Sequence, residues 1–251
     1  SMLELTPDFI KEFAAYLSTE AGLRNGSIWA NCMWLKGVVM KAHYNGLIPR
    51  NPFIQVHISP NVKEREYLTE DELKAVMTHE FADSKLAYIR DIFIFASFTA
   101  LSFVDIQELT NDNIVEVNGE KWILSKRHKT KVAFQVKLLD IPLQIVERYR
   151  PMQKDNRIFP GLNYWSICKP LKRMIRECGI TKSISFHCSR HGFATLALSK
   201  GMPIESVSRV LGHTNIVTTQ LYAKITTQKL DNDLTMFGDK LSKTFNGITM
   251  S

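Results

Sequence analysis

The sequence predicts a mainly α-helical fold carrying one small antiparallel β-sheet, an α+β arrangement in which a small helical domain precedes a larger, mostly helical one. Three observations predict it. Apolar residues recur at helical spacing through most of the chain, Asn118-Gly119 joins two short β-rich runs, and a proline-containing stretch with a charged cluster separates the opening helices from the rest.

Thr6-Pro7 opens the first helix, a hydroxyl N-cap followed by proline at the first helical position. Phe9, Ile10, Phe13, Tyr16 and Leu17 follow at helical spacing until Gly22 and Gly26 interrupt them. A second helix is predicted over roughly residues 27–43, with Ile28, Cys32, Leu35 and Val39 as its apolar stripe and Asn45-Gly46 as its end. Prolines 49, 52 and 60 and the cluster Lys63-Glu64-Arg65-Glu66 then read as an interdomain linker. Thr69-Glu70-Asp71-Glu72 has the capping-box pattern, in which the N-cap and N3 residues satisfy each other's amides, so a new helix and a new domain begin there. The boundaries drawn are a helical domain at 1–60, a linker at 61–67 and a second domain at 68–251. Helices are predicted at 70–80 and 84–101. Residues 114–124 then read as a hairpin, because both residues of an Asn-Gly turn adopt positive φ. A third strand at about 132–139 follows the basic loop 126–131, and from Pro142 onward the pattern is helical again.

Composition narrows the function. Hydrophobic residues at 45% and charged residues at 23% are the balance of a globular protein rather than of a disordered chain. A net charge of +7 favours a polyanionic partner such as nucleic acid. The cysteines, Cys32, Cys168, Cys178 and Cys188, form no C-x-x-C pair and read as free thiols of a reducing cytosol. The longest apolar run, residues 92–104, is too short to span a bilayer, so no membrane is expected. Ser1 ahead of Met2 reads as the scar of a cleaved tag, and the first domain is expected to be shortened at its start.

The most informative stretch is His187-Cys188-Ser189-Arg190-His191-Gly192-Phe193-Ala194-Thr195, followed by Leu211-Gly212-His213 and then Tyr222. Here the chain resembles the tyrosine recombinases of the phage integrase type, whose members show H-x-x-R-H-x-F-A-T, then L-G-H, then a tyrosine nine residues beyond that histidine. Single pieces of this pattern have ordinary explanations: a surface histidine, a rim tyrosine, a glycine C-cap. Their order and spacing carry the resemblance, which extends more weakly from Leu68 to Tyr222. Residues 1–60 resemble the family's helical core-binding domain in placement and character.

The chemistry fits these residue types. In this family a tyrosine attacks a DNA phosphodiester, leaving a 3′-phosphotyrosyl link and a free 5′-hydroxyl. Negative charge gathers on the phosphoryl oxygens, and the planar donor fork of arginine matches them. Arg190 follows His187 by three residues, so one helical turn presents both on one face. The resemblance implies Tyr222 as nucleophile, Arg190 as phosphate clamp, His187 as hydrogen-bond partner or proton carrier, and His213 as a second donor. An unperturbed phenol is ionised to only about one part in a thousand at pH 7, so nearby positive charge is expected to assist. Lys129, in the loop before a strand that ends near Ile141-Pro142-Leu143, is the implied acid for the leaving oxygen. The resemblance implies neither metal nor cofactor, since the phosphotyrosine retains the phosphodiester energy.

One position departs from the family. Where T-G-L-R-x-x-[ED] is usual, this chain has Thr99-Ala100-Leu101-Ser102-Phe103-Val104-Asp105, and Ser102 supplies no guanidinium. Two readings stay open. Arg127, two residues before Lys129 and therefore on the same side of an extended strand, fills the role; or catalysis is impaired and the chain is a DNA-binding regulator or architectural protein. Asp105 matches the family's supporting acid. Lys169, Lys172, Arg173 and Arg176 form either a solvated helix face or a DNA contact, His191 is expected to brace the helix that carries His187 and Arg190, and Cys188 to pack. The tail beyond Tyr222 is expected either on a neighbouring subunit or folded on its own domain. The implied partners are double-stranded DNA at core recombination sites and three further copies, a tetramer on DNA formed from monomers, in the bacterial cytoplasm.

Overall fold

Local signals fix where the helices begin. In the computed structural model, which describes residues 4–59, 66–129, 131–153, 155–222 and 227–244, Thr6 caps α1 (Pro7–Thr19) by accepting the Phe9 amide at 3.1 Å. α2 (Asn25–Tyr44) packs on α1, buries Ile28, Cys32 and Val39, and ends at Asn45-Gly46, with Gly46 at φ 71°. The proline-containing stretch that follows is folded rather than a spacer through Ile58. Ile48 and Phe53 are buried with Ile10, Val39 and Ala42, and Val56 and Ile58 pack partly against them. Asn51 caps the 3-10 turn Pro52–Ile54 by accepting the Phe53 amide at 2.9 Å, and Pro52 fits because its fixed φ suits a first helical position. Residues 1–64 form one compact unit and residues 65–251 a second. The expected linker residues 61–65 lie outside the described residues, and Glu66 and Tyr67 belong to the second unit.

In the second unit the Thr69 box is formed. The Thr69 amide donates to Glu72 Oε2 at 2.7 Å and the Glu72 amide to Thr69 Oγ1 at 3.3 Å, opening α3 (Glu70–Thr78). α4 (Ser84–Thr99) is apolar on nearly every side, which marks a helix enclosed by its neighbours. It packs against α3, α6 (Asp140–Tyr149), α7 (Tyr164–Glu177) and α8 (His187–Ser199). Its Phe93 and Phe95 side chains are fully buried, each contributing about 1.5–3 kcal/mol by leaving water. α4 stops at Ala100, which takes a left-handed conformation (φ 56°), and Ser102 then caps the short α5 (Phe103–Gln107). Strands β1 (Ile114–Val117), β2 (Glu120–Lys126) and β3 (Ala133–Lys137) form an antiparallel sheet in that order. The turn places Asn118 at φ 54° and Gly119 at φ 77°, and Ile123, opposite Ile114 and Val136, faces the core.

On α7, Leu171, Met174 and Ile175 are buried while Lys169, Lys172, Arg173 and Arg176 lie outside, with Arg173 paired to Glu177 at 2.7 Å. α9 (Ile204–Leu211) packs against both α8 and β3, and this contact assembles the site. α10 (Val217–Gln220) and α11 (Thr227–Thr244) complete the unit. Among the described residues no helix is long and apolar enough to cross a membrane.

Candidate active site

Two arginines from distant parts of the chain meet at the ends of two helices. Arg190, on the first turn of α8, donates Nη1 to the Ala100 carbonyl at 2.8 Å and Nη2 to the Leu211 carbonyl. Arg127, one residue beyond β2, donates Nη1 to Asp105 Oδ2 at 2.8 Å and Nη2 to the Val210 carbonyl. The Phe134 ring lies 4.1 Å from its guanidinium carbon. The pair thus takes consecutive carbonyls from the last turn of α9 and the carbonyl that closes α4. Helix C-termini carry partial negative charge, which lets cations sit there with little water.

Those dipoles do not balance the charge. Asp105 is the carboxylate that pairs with Arg127. Burial pushes its carboxyl up, but the His128 amide at 3.0 Å, Arg127 and the Ser102 hydroxyl at 2.8 Å together hold it below the usual range. Arg190 is pushed down to about 10 by burial and by the neighbouring Arg127, with Tyr222 and Asp105 acting in the opposite sense. Two guanidiniums beside one carboxylate leave excess positive charge in a largely dehydrated place, where charge interacts more strongly than in water. Among the described residues, Arg127 Nε is the one buried side-chain polar atom without a hydrogen-bond partner.

Gly212 is required here twice over. It closes α9 at φ 62°, and a Cβ on it would stand 2.9 Å from Arg127 Nε, so a side chain would clash with the guanidinium stem. His213 follows, its Nδ1 2.9 Å from the buried Thr219 hydroxyl. Burial first, then the charges of Arg190 and Arg127 and the nearby His187, push His213 down to about 4, so its imidazole is neutral at pH 7. Tyr222 stands two residues past α10. It packs, half-buried, against the cluster of Ala194, Val207 and Leu211, with its ring edge-on to His191 at 4.6 Å.

The structure therefore gathers Arg190, Arg127, His213, His187 and Tyr222 in one place. It does not gather Lys129. The expectation that Arg127 and Lys129 share a side is corrected, because β2 ends at Lys126 and strand alternation stops there. The Arg127 amide donates to Val132 O and the Lys131 amide to Arg127 O, both at 2.8 Å, so the chain turns between them. Arg127 goes inward and Lys129 stands exposed in the turn. Ser102 serves as a helix cap. Its hydroxyl donates to the same Asp105 Oδ2 that Arg127 grips, which brings the Arg127 guanidinium beside the serine. Cys188 is buried against Ser185, as expected of a packing residue. Thr219 as the partner of His213, and Tyr67, stacked on His191 at 5.2 Å, were not singled out from the sequence. Thr219 lay within the motif region, but nothing local signals a ring contact with Tyr67, well over a hundred residues away in the chain.

A tyrosine packed beside anion-seeking arginines, Arg127 buried and Arg190 partly so, on this helical fold is the arrangement of an enzyme class that works on phosphodiesters through a tyrosine. The chain belongs to the phage integrase family, the tyrosine recombinases: the phage integrase pattern matches residues 66–229 and the phage integrase SAM-like domain matches residues 1–58. Tyrosine recombinase XerA of Pyrococcus horikoshii is 32% identical over 177 residues, 65% of this chain and 58% of that protein. Tyrosine recombinase XerC of Lactobacillus leichmannii is 25% identical over 229 residues, covering 85% and 77% of the two chains. Among solved structures, the Tn1549 transposon integrase in complex with circular intermediate DNA superimposes with a TM-score of 0.76 at 18% identity, over 93% of this chain and 86% of that one. A lambda integrase dimer bound to a core site gives 0.68 at 18% identity, over 87% and 80%. Likeness at that identity speaks for the fold.

Proposed function

We propose that this chain is a site-specific DNA recombinase that cuts and rejoins strands through Tyr222. The observation that carries the reading is the pair of guanidiniums beside the tyrosine, Arg127 buried on Asp105 and Arg190 partly buried on backbone carbonyls, with one carboxylate near the two of them. A phosphodiester is the anion such a pair suits. Each guanidinium keeps donors beyond those used on carbonyls and on Asp105, and these grip the non-bridging oxygens more tightly as charge develops on them. Tyr222 Oη forms the new bond to phosphorus, the P–O5′ bond breaks, and the phosphoryl group is left on the tyrosine. The phenolic proton passes toward His187, and the departing 5′ oxygen takes a proton from Lys129, which the seated DNA draws in from its exposed turn. A neutral His213 whose Nδ1 accepts from Thr219 carries its proton on Nε2 and donates it to a phosphoryl oxygen. Rejoining is the same step reversed, with a 5′-hydroxyl from another strand as attacker.

Because Tyr222 packs on its own domain, the proposed attack is in cis. Residues 1–64 serve as the core-site-binding half of a clamp on duplex DNA, with the SAM-like match and the DNA-bound fold neighbours in support. The proposed assembly is a tetramer on DNA in the bacterial cytoplasm. α11 supports it: Leu230, Leu234, Phe237 and Leu241 form an exposed apolar stripe at i, i+4, i+7 and i+11, suited to a neighbouring subunit. The test uses a nicked suicide duplex carrying the junction sequence of the encoding element. Wild type is expected to give an SDS-resistant adduct, and Tyr222→Phe to bind without forming one. An adduct from Tyr222→Phe overturns the nucleophile, and none from wild type favours the non-catalytic DNA-binding reading.

A further inference from the structure

What fixes the ring of the nucleophile bears on the reaction proposed above, and this inference rests on that reading. Tyr222 packs T-shaped against the His191 ring, with centroids 4.6 Å apart and planes at 82°. His191 is in turn stacked on Tyr67 at 5.2 Å and 26°. Tyr67 is itself firmly placed. Its carbonyl accepts from Lys182 Nζ at 3.1 Å, and the same ammonium pairs with Glu72 at 2.6 Å. On one side of it, Glu66 accepts the Ser183 amide at 2.6 Å; on the other, Thr69 closes the cap of α3. Gly192, next to His191, brings α8 close to this segment, with Tyr67 Cβ 4.0 Å from where a Gly192 Cβ would stand.

We propose that Tyr67 is a positioning residue for the nucleophile: it backs the His191 ring, and the backed ring holds the Tyr222 ring in place near Arg190. The His191 ring lies between Tyr67, whose backbone is anchored, and the nucleophile, and such aromatic pairs act through geometry as well as burial. Preorganising the attacking group is the effect that raises the rate of the chemical step without changing substrate affinity.

The experiment compares Tyr67→Ala and Tyr67→Phe with wild type. Phenylalanine keeps the stacking ring and alanine removes it. On the nicked suicide duplex, Tyr67→Ala is expected to form adduct about three- to tenfold more slowly with unchanged DNA affinity, and Tyr67→Phe at the wild-type rate. A reading without DNA runs in parallel: in tyrosine-labelled protein, the Tyr222 ring resonances carry the ring-current shift of His191, which Tyr67→Ala is expected to move and Tyr67→Phe to leave. Unmoved resonances together with a wild-type adduct rate in Tyr67→Ala overturn the proposal, as does an equal loss in both variants. If wild type forms no adduct while the resonances respond as described, the stack stands and the recombinase reading falls.

Discussion

Among the described residues, two carboxylates are buried in the second unit, Asp91 and Asp105, and each shares its surroundings with two arginines and a tyrosine. At Asp91 everything converges on the carboxylate: Arg90 Nε at 2.8 Å, Arg148 Nη1 at 2.7 Å and the Tyr149 hydroxyl at 2.8 Å. The Arg148 side chain keeps 55% of its surface in water, so solvent still serves that charge. Burial and the Asp91 charge push the Tyr149 phenol far up, where it stays a donor. At Asp105 the proportions are reversed. Arg127 is 6% exposed, Arg190 leans on carbonyls rather than on an acid, and the tyrosine stands by the cations. The same residue types therefore make a closed strut between α4 and α6 in one place and an anion-seeking pocket in the other. What separates them is which partners lose their water, since a buried cation without a full counter-charge costs several kcal/mol until an anion arrives.

Removing each centre tests that contrast. The largest effect is expected from Arg127→Ala, which should slow adduct formation by about 10²–10³-fold, the usual cost of losing a transition-state donor, with DNA binding nearly intact. Adduct at the wild-type rate would remove Arg127 from the role left open by Ser102. Asp91→Ala should do the opposite. It leaves the buried Tyr149 hydroxyl unpaired and should lower unfolding stability by about 2–4 kcal/mol in a denaturant titration, while the adduct rate per folded molecule stays at the wild-type value. A selective loss of cleavage would show that the strut is not merely structural. The smallest effect concerns His213. With its folded value pushed down to about 4, the unfolded chain takes up the proton first as pH falls below its ordinary value of about 6.5. Its contribution is thus present above that pH and is lost progressively on the way to 4. His213→Gln should flatten the fall in Tm over that window, and an imidazole titrating near 6.5 in the NMR of the free protein would mean that the excess positive charge is not felt.

The motif around α8 to α10 was legible because its parts are local. His187 and Arg190 lie one helical turn apart, Gly212 ends a helix where a positive φ is needed, and the spacing to Tyr222 is short. The hairpin at Asn118-Gly119 and the box at Thr69 were legible for the same reason. Arg127 was singled out by a strand argument that its loop does not obey, and the folded stretch 48–58 read as spacer because proline content reports on turns and not on burial.

By itself, then, the sequence determined the order of the main elements, several of their caps and turns, and the residue types of the candidate site, because each of these is settled by neighbours within a few positions. Only the tertiary structure decided which member of the basic loop goes inside. Burying Arg127 takes a carboxylate 22 positions before it and a carbonyl 83 positions after it. A cation gives up its water only where the folded chain supplies replacement oxygens, and no local pattern records where those oxygens will stand.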